Sequence, residues 1–192
     1  IIGARSYYRR GELPLRPALW LCAGSLAGGL AGAALGGLIP AETVKQVLYV
    51  VVLLSGCAIA LRELRPQRSK ADRCVPPGWL LPLGAVTGLI CALSGAGGPV
   101  LVMPLLVVLG FPAKAAVGTA LLDSVFIALP AVAVYGSRCT LAPLLALLAV
   151  SLCAHAVGVS IGSRTAARVP QALLKRGVAA FSICFALLML LK

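Results

Sequence analysis

Between Trp79 and Leu109 the chain reads WLLPLGAVTGLICALSGAGGPVLVMPLLVVL, a strongly apolar stretch interrupted by S-G-A-G-G-P from Ser94 to Pro99. Glycine weakens helix interiors and Pro99 has no N–H, so a helix that runs up to Leu93 stops at this point. In hydrocarbon an interrupted helix leaves N–H and C=O groups unpaired. Irregular backbone persists there only where it lines a polar cavity or is buried in protein. The interruption therefore predicts a site. A second, short helix begins near Val100, and its first N–H groups and positive dipole end favour an anion.

The rest of the chain supplies the setting. Its 192 residues are 60% hydrophobic and 11% charged, with a mean hydropathy of +1.03, far too apolar for a soluble domain. The fold class is an all-α polytopic membrane protein, with length enough for about six or seven spans. Apolar runs fall at 17–38, 44–61, 78–93, 100–109 (too short to cross), 115–135, 141–162 and 172–191. The net charge of +12 does not point to nucleic acid, because the cations sit in short loops between apolar runs, where they orient helices toward the cytoplasm. Seven cysteines without a CxxC pair or metal-ligand spacing argue against a disulfide framework or a metal site. Cys22, Cys57, Cys91, Cys153 and Cys184 read as small packing residues, and no cofactor is implied.

Two halves are legible. Residues 62–77 form the one clear linker, basic through Arg62, Arg65, Arg68, Lys70 and Arg73. On either side of it Ser25, Leu26, Gly32 and Gly36 recur at one constant offset as Ser151, Leu152, Gly158 and Gly162, and Pro40 and Lys45 recur as Pro170 and Lys175 after one extra helical turn. Residues 1–61 are then the back part of a first repeat and 78–192 a complete second repeat. The chain opens on Ile1 and reads as a piece of something longer, so the expected partner is a missing N-terminal repeat or a second copy in a homodimer.

Cation placement orients the spans. If 78–109 enters and leaves on one side as a re-entrant pair, only Lys45, Arg138 and Lys192 of the 17 basic residues fall on the far side. A single crossing would move Lys114, Arg164, Arg168, Lys175 and Arg176 there and bring Arg138 and Lys192 back, so that six of the 17 lie on the far side. The positive-inside rule prefers the first arrangement, with linker 62–77 cytoplasmic in a multi-pass protein of the cell membrane. Each half then crosses an odd number of times, and the halves run in opposite directions, the inverted-repeat plan of secondary transporters.

These residues carry a family resemblance. The run SGAGGPVLVMPLLVVLGFPAKAAVGTALL from Ser94 to Leu122 resembles the second-half signature of the TauE/SafE membrane permeases, the sulfite exporter and sulfonate permease group. There a G-x-G-G-G break leads to an apolar stretch with a Pro, then G-x-P-x-x-A, then T-S-L. The YYRRGEL run from Tyr7 to Leu13 resembles that family's basic loop. Pro99 stands where a third Gly is usual and Ala120 where a Ser follows Thr. The resemblance implies transport of small anions, sulfite or sulfonates among them.

The residues supply a physical reason. Gly95, Gly97 and Gly98 let backbone approach a ligand, Pro99 starts the new helix, and Ser94 and Thr119 add hydroxyls, giving a candidate site for a small anionic substrate. Asp123 lies one turn beyond Thr119 on the same helix face. A carboxyl at that depth is a functional candidate as a proton carrier, since a neutral acid is tolerated where a charged one is not. His155 reads first as a packing residue and second as a proton carrier. Two other classes compete. Ser94-Gly95 with His155 and the spaced glycines Gly158 and Gly162 resembles the dyad of rhomboid intramembrane serine proteases, but position 92 is Ala92, no H-x-x-x-N element occurs, and the repeat already accounts for those glycines. A non-transporting membrane scaffold is the third reading.

Overall fold

The computed structural model describes residues 2–36, 38, 40–64, 76–136 and 141–191. They form eight helices and, among the described residues, no strand: α1 (Ile2–Arg9), α2 (Leu15–Leu35), α3 (Ala41–Leu64), α4 (Pro77–Ser94), α5 (Gly98–Val108), α6 (Ala113–Gly136), α7 (Leu141–Arg168) and α8 (Gln171–Leu190). Proline punctuates the starts: Pro14, Pro40, Pro76, Pro112 and Pro170 each precede a helix, where a missing N–H costs nothing and the fixed φ suits entry into the first turn. The α5–α6 connection reverses at Gly110, whose φ of 102° is closed to other residues.

The protein is an all-α multi-pass membrane protein. Segments of α2, α3, α6 and α8 are each long and apolar enough to cross a bilayer, and α7, with 28 residues, extends about 42 Å. Large side chains such as Leu54, Trp79, Val132, Phe181 and Leu188 face outward, as lipid contact requires.

Polar contacts fix which ends lie together. Lys114 pairs with Glu12 at 3.4 Å, Arg176 with Glu63 at 3.6 Å, Gln171 Oε1 accepts the Ala113 N–H at 3.2 Å, and the Arg62 guanidinium donates to the Val108 carbonyl. The starts of α2, α6 and α8 and the ends of α3 and α5 therefore share one end of the bundle, rich in cations and called here the basic end. From it α4 rises parallel to α2, and α5 returns. The segment 77–108 is the re-entrant hairpin that the cation distribution predicts. The α2–α3 pair runs up then down, and α7–α8 runs down then up.

The hairpin's first arm is held by an unusually close helix contact. A Cβ built on Gly28 would lie 1.9 Å from the Ala85 carbonyl oxygen, on Gly24 2.0 Å from that of Leu81, and on Gly84 2.1 Å from that of Leu21. Without these glycines the two backbones could not touch. Such small-residue contacts are how helices associate in lipid, where burying apolar surface gains little. The basic end of the core is filled by Leu21, Leu80, Val102, Leu106, Ala116 and Val178. Further along, Leu48, Val52, Cys91, Leu101 and Ile127 pack around the hairpin tip, with Tyr49 edge-on to Phe185, centroids 6.0 Å apart.

Two expectations change. Of the run Tyr7 to Leu13, read as a basic loop, residues 7–9 instead close the helix α1: its eight residues are too short and too polar to show a hydrophobic period, yet Tyr7 is fully buried and anchors it on α6. Helix α7 runs past residue 162 to Arg168, because its last turns are polar and leave the apolar window without leaving the helix. Of linker 62–77, residues 65–75 lie outside the described residues.

Gly28→Ala should lower stability in detergent by about 1–3 kcal/mol, the usual cost of overpacking. Gly158→Ala, where an added Cβ meets nothing within 4 Å, should be neutral to about 1 kcal/mol stabilising. Thermal unfolding midpoints of the two variants check this. In a background without native cysteines, single cysteines replacing Glu63 and Gly110 should react with an impermeant thiol reagent from one side of the membrane, and one replacing Lys45 from the other.

Candidate functional site

Helix α4 ends where Gly95 turns to φ 70°, ψ 8°, the left-handed conformation that closes many helices. Gly97 is extended at φ −69°, ψ 145°, and α5 starts at Gly98 with Pro99 in its first turn. The unwound backbone lies one or two residues nearer the chain start than Val100. Ser94 braces it: its hydroxyl donates to the Ile90 carbonyl at 2.7 Å and accepts the Ala96 N–H at 3.3 Å. The Val100 N–H closes the first turn of α5 on the Gly97 carbonyl at 3.1 Å. Among the described residues no side chain caps α5, and no acceptor takes the Gly97 or Gly98 N–H. Gly97 is exposed and Gly98 buried, so the two unclaimed amides at the positive end of α5 belong to one residue at the open face of the break and one in its wall.

The tip is pinned sideways. Gly98 is buried against α6, and a Cβ on it would come within 3.2 Å of Ser124 Oγ and 3.3 Å of Ile127 Cδ1. Ser124 is eleven residues into α6, which places the tip roughly 17 Å from the start of that helix, well inside a bilayer.

Asp123, beside Ser124 in sequence, is fully buried at the seam of α2, α4 and α6. Its polar neighbours are Cys22 and Ser25 of α2, with Cys91 of α4 also close. Neither carboxyl oxygen has a hydrogen-bond partner among the described residues, and no basic side chain pairs with it there. The Ser25 hydroxyl, meanwhile, donates to the Gly84 carbonyl at 3.1 Å, leaving its oxygen lone pairs toward other donors. Thr119, one turn nearer the basic end, is buried with its hydroxyl unpaired too. A helical threonine ordinarily bonds back to the preceding turn, as Ser124 does to Ala120 at 2.7 Å, so the unpaired Thr119 stands out.

Sequence reasoning places Ser94, Gly95, Gly97, Gly98 and Pro99 at one break and Asp123 beside the element that pins it. It does not foresee that Ser94 spends its own proton inside α4, nor that Cys22 and Ser25 face Asp123. The contacts of Asp123 with Cys22 and Ser25 join residues about a hundred positions apart and leave no local pattern. His155 is exposed on α7, and among the described residues no contact joins it to Ser94. Among the described residues Ser94 and His155 are therefore not brought together as a nucleophile–base pair. Nothing in the sequence marks Tyr7 as a site residue. Its phenol is buried and unpaired against Gly118, and burial, followed by the Glu12 carboxylate, raises its pKa, so it remains a hydrogen-bond donor. A groove of about 380 Å³ at the basic end, lined by Glu12, Lys114 and Gln171, does not reach the break.

The sequence model of the family described as sulfite exporter TauE/SafE matches residues 1–189. The chain belongs to that family. No curated protein and no solved structure matches it. As a TauE/SafE protein it is a membrane permease for anions, and two unclaimed amides at a broken helix are an arrangement suited to that cargo.

Gly95→Ala should cost about 1–2 kcal/mol, from φ alone, because an added Cβ there touches nothing. Gly97→Ala, at an ordinary φ with only Pro99 Cδ nearby at 3.7 Å, should be neutral or stabilise by up to about 1 kcal/mol. Unfolding of the two variants in the same detergent separates the conformational demand of Gly95 from mere smallness.

Proposed function

We propose that this permease carries small oxyanions, sulfite or sulfonates among them, across the cell membrane, binding the anion on the Gly97 and Gly98 amides and coupling its movement to a proton on Asp123. The observation that carries this reading is the pair of amides without an acceptor at the start of α5. An anion on a helix N-terminus gains about 0.3–1 kcal/mol, and up to about 2 in partly buried geometry. That is enough to select charge and little enough to allow release, whereas a fixed guanidinium at the same place would hold its ligand. Pro99 contributes no donor but presets the first turn. The unpaired Thr119 hydroxyl offers a second stop toward the basic end.

Asp123 suits the proton. Protonated, its carboxyl can donate to Ser25 Oγ, which donates in turn to Gly84, so the chain of donors is complete only when the acid is neutral. A charged carboxylate there would cost about 2.5–3.5 kcal/mol on insertion scales. Asp123 abuts the helix segment that pins Gly98, which gives protonation a direct route to the tip. The basic end faces the cytoplasm in this reading. Residues 1–61 and 78–192 are two repeats of opposite direction joined by 62–77, and an upstream repeat or a second copy completes the cavity.

The test is sulfite flux into vesicles reconstituted with the full chain. Wild-type flux should saturate and respond to an imposed pH gradient. Gly97→Pro, which deletes the amide at a φ that proline adopts, should raise KM by about tenfold, the worth of one charge-assisted hydrogen bond. Asp123→Asn should abolish the response to the pH gradient. An unchanged KM in the proline variant removes the amides from the site, and an unchanged pH response in the asparagine variant removes Asp123 from coupling.

A further inference from the structure

Away from the break, where α1 packs on α7, a groove of about 360 Å³ is lined by Arg5, Arg9, Arg10 and Arg164 together with Ser6 and Ser163. We infer that this groove binds the phosphate headgroup of an anionic membrane phospholipid, with an acyl chain lying along α7.

The groove is built by close packing rather than by chance proximity. A Cβ on Gly3 would come within 2.7 Å of Val159 Cγ1, and Arg10 Nη1 donates to the Ser163 carbonyl at 3.2 Å, so α1 is seated on α7 with its cations turned to the same cleft. Arg5 and Arg9 are one turn apart on α1 and repel each other, a cost that an anion between them removes. Among the described residues the carboxylates are engaged elsewhere: Glu42 with Lys45, Glu12 with Lys114 and Glu63 with Arg176, while Asp123 is buried at another seam. Among the described residues Arg5, Arg9 and Arg164 are left as exposed guanidinium forks without an ion pair, the geometry that phosphate oxygens fit in pairs.

The surface beside the arginines decides between a lipid and a free anion. Starting from Arg164, the same side of α7 presents Ile161, Val157 and Val150, all strongly exposed, at helical spacing that runs from the basic end into the apolar span. A free anion needs no such stripe, whereas a phospholipid has an acyl chain to lay on it. Basic clefts between helices near the cytoplasmic surface are where anionic headgroups collect. This inference stands independently of the anion proposed at Gly97 and Gly98.

Native mass spectrometry of the full chain in neutral detergent, offered equal dioleoyl phosphatidylglycerol and dioleoyl phosphatidylcholine, tests it. The first bound lipid should be phosphatidylglycerol, by about tenfold. Arg5→Gln/Arg164→Gln should bring the two lipids to near parity. Arg16→Gln/Lys175→Gln, which removes equal charge from the same end, should leave the preference intact. Equal binding of the two lipids by the wild-type chain overturns the inference without any variant. So does loss of preference in both double variants, which would mean bulk charge alone. Saturation of the groove by millimolar inorganic phosphate, with the lipid preference gone, would reassign it to soluble anions.

Discussion

Everything in this fold answers to one constraint: backbone amides inside a bilayer have no water to bond, so each must find a partner in the protein or in whatever the protein carries. Between Ser94 and Gly98 the chain breaks its own helical ladder. Part of the debt is settled locally, by the Ser94 hydroxyl on Ala96 and by Val100 closing on Gly97. The Gly97 and Gly98 amides are left over. In a soluble protein such a remainder would be hydrated and unremarked. At this depth it defines what the site wants.

The scaffold around the break keeps it in place at low cost in flexibility. Because α2 and α4 meet glycine to carbonyl, the first arm of the hairpin is fixed against a full-length helix with almost no side chain between them. The tip is then clamped on α6 at Ser124 and Ile127, next to Asp123. The unpaired amides at the start of α5 and the Asp123 carboxyl on α6 thus flank one packed seam, through Gly98 against Ser124 and Ile127, and the proposed coupling runs across it. It is this arrangement, an unpaired acid beside an unpaired donor set, that motivates the proposal of coupled movement.

Much of this is legible in the sequence because it is local. Glycine and proline spacing marks the break, apolar runs mark the helices to within a few residues, and the distribution of cations favours a segment 78–109 that turns back, as the α4–α5 hairpin does. What escapes is long-range or short-period. Helix α1 is too brief and too basic to register as a helix, and only the burial of Tyr7 explains it. The Cys22–Ser25–Asp123 seam depends on α2 lying parallel to α6, which no window of sequence contains. Ser94 reads as a ligand hydroxyl from its position, yet its proton is committed to Ile90, because a helix-terminal serine at this spacing finds the preceding turn first. The arginine groove between α1 and α7 is invisible for the same reason as α1 itself.

The central claim is that the amides of the break hold the anion. The most direct measurement is a sulfite titration of the protein in nanodiscs, labelled with 15N-glycine and followed by solid-state NMR. The account predicts saturable shifts at Gly97 and Gly98, with a glycine of the α2–α4 contact such as Gly28 unmoved. Resonances of Gly97 and Gly98 that stay fixed while sulfite binds would contradict it.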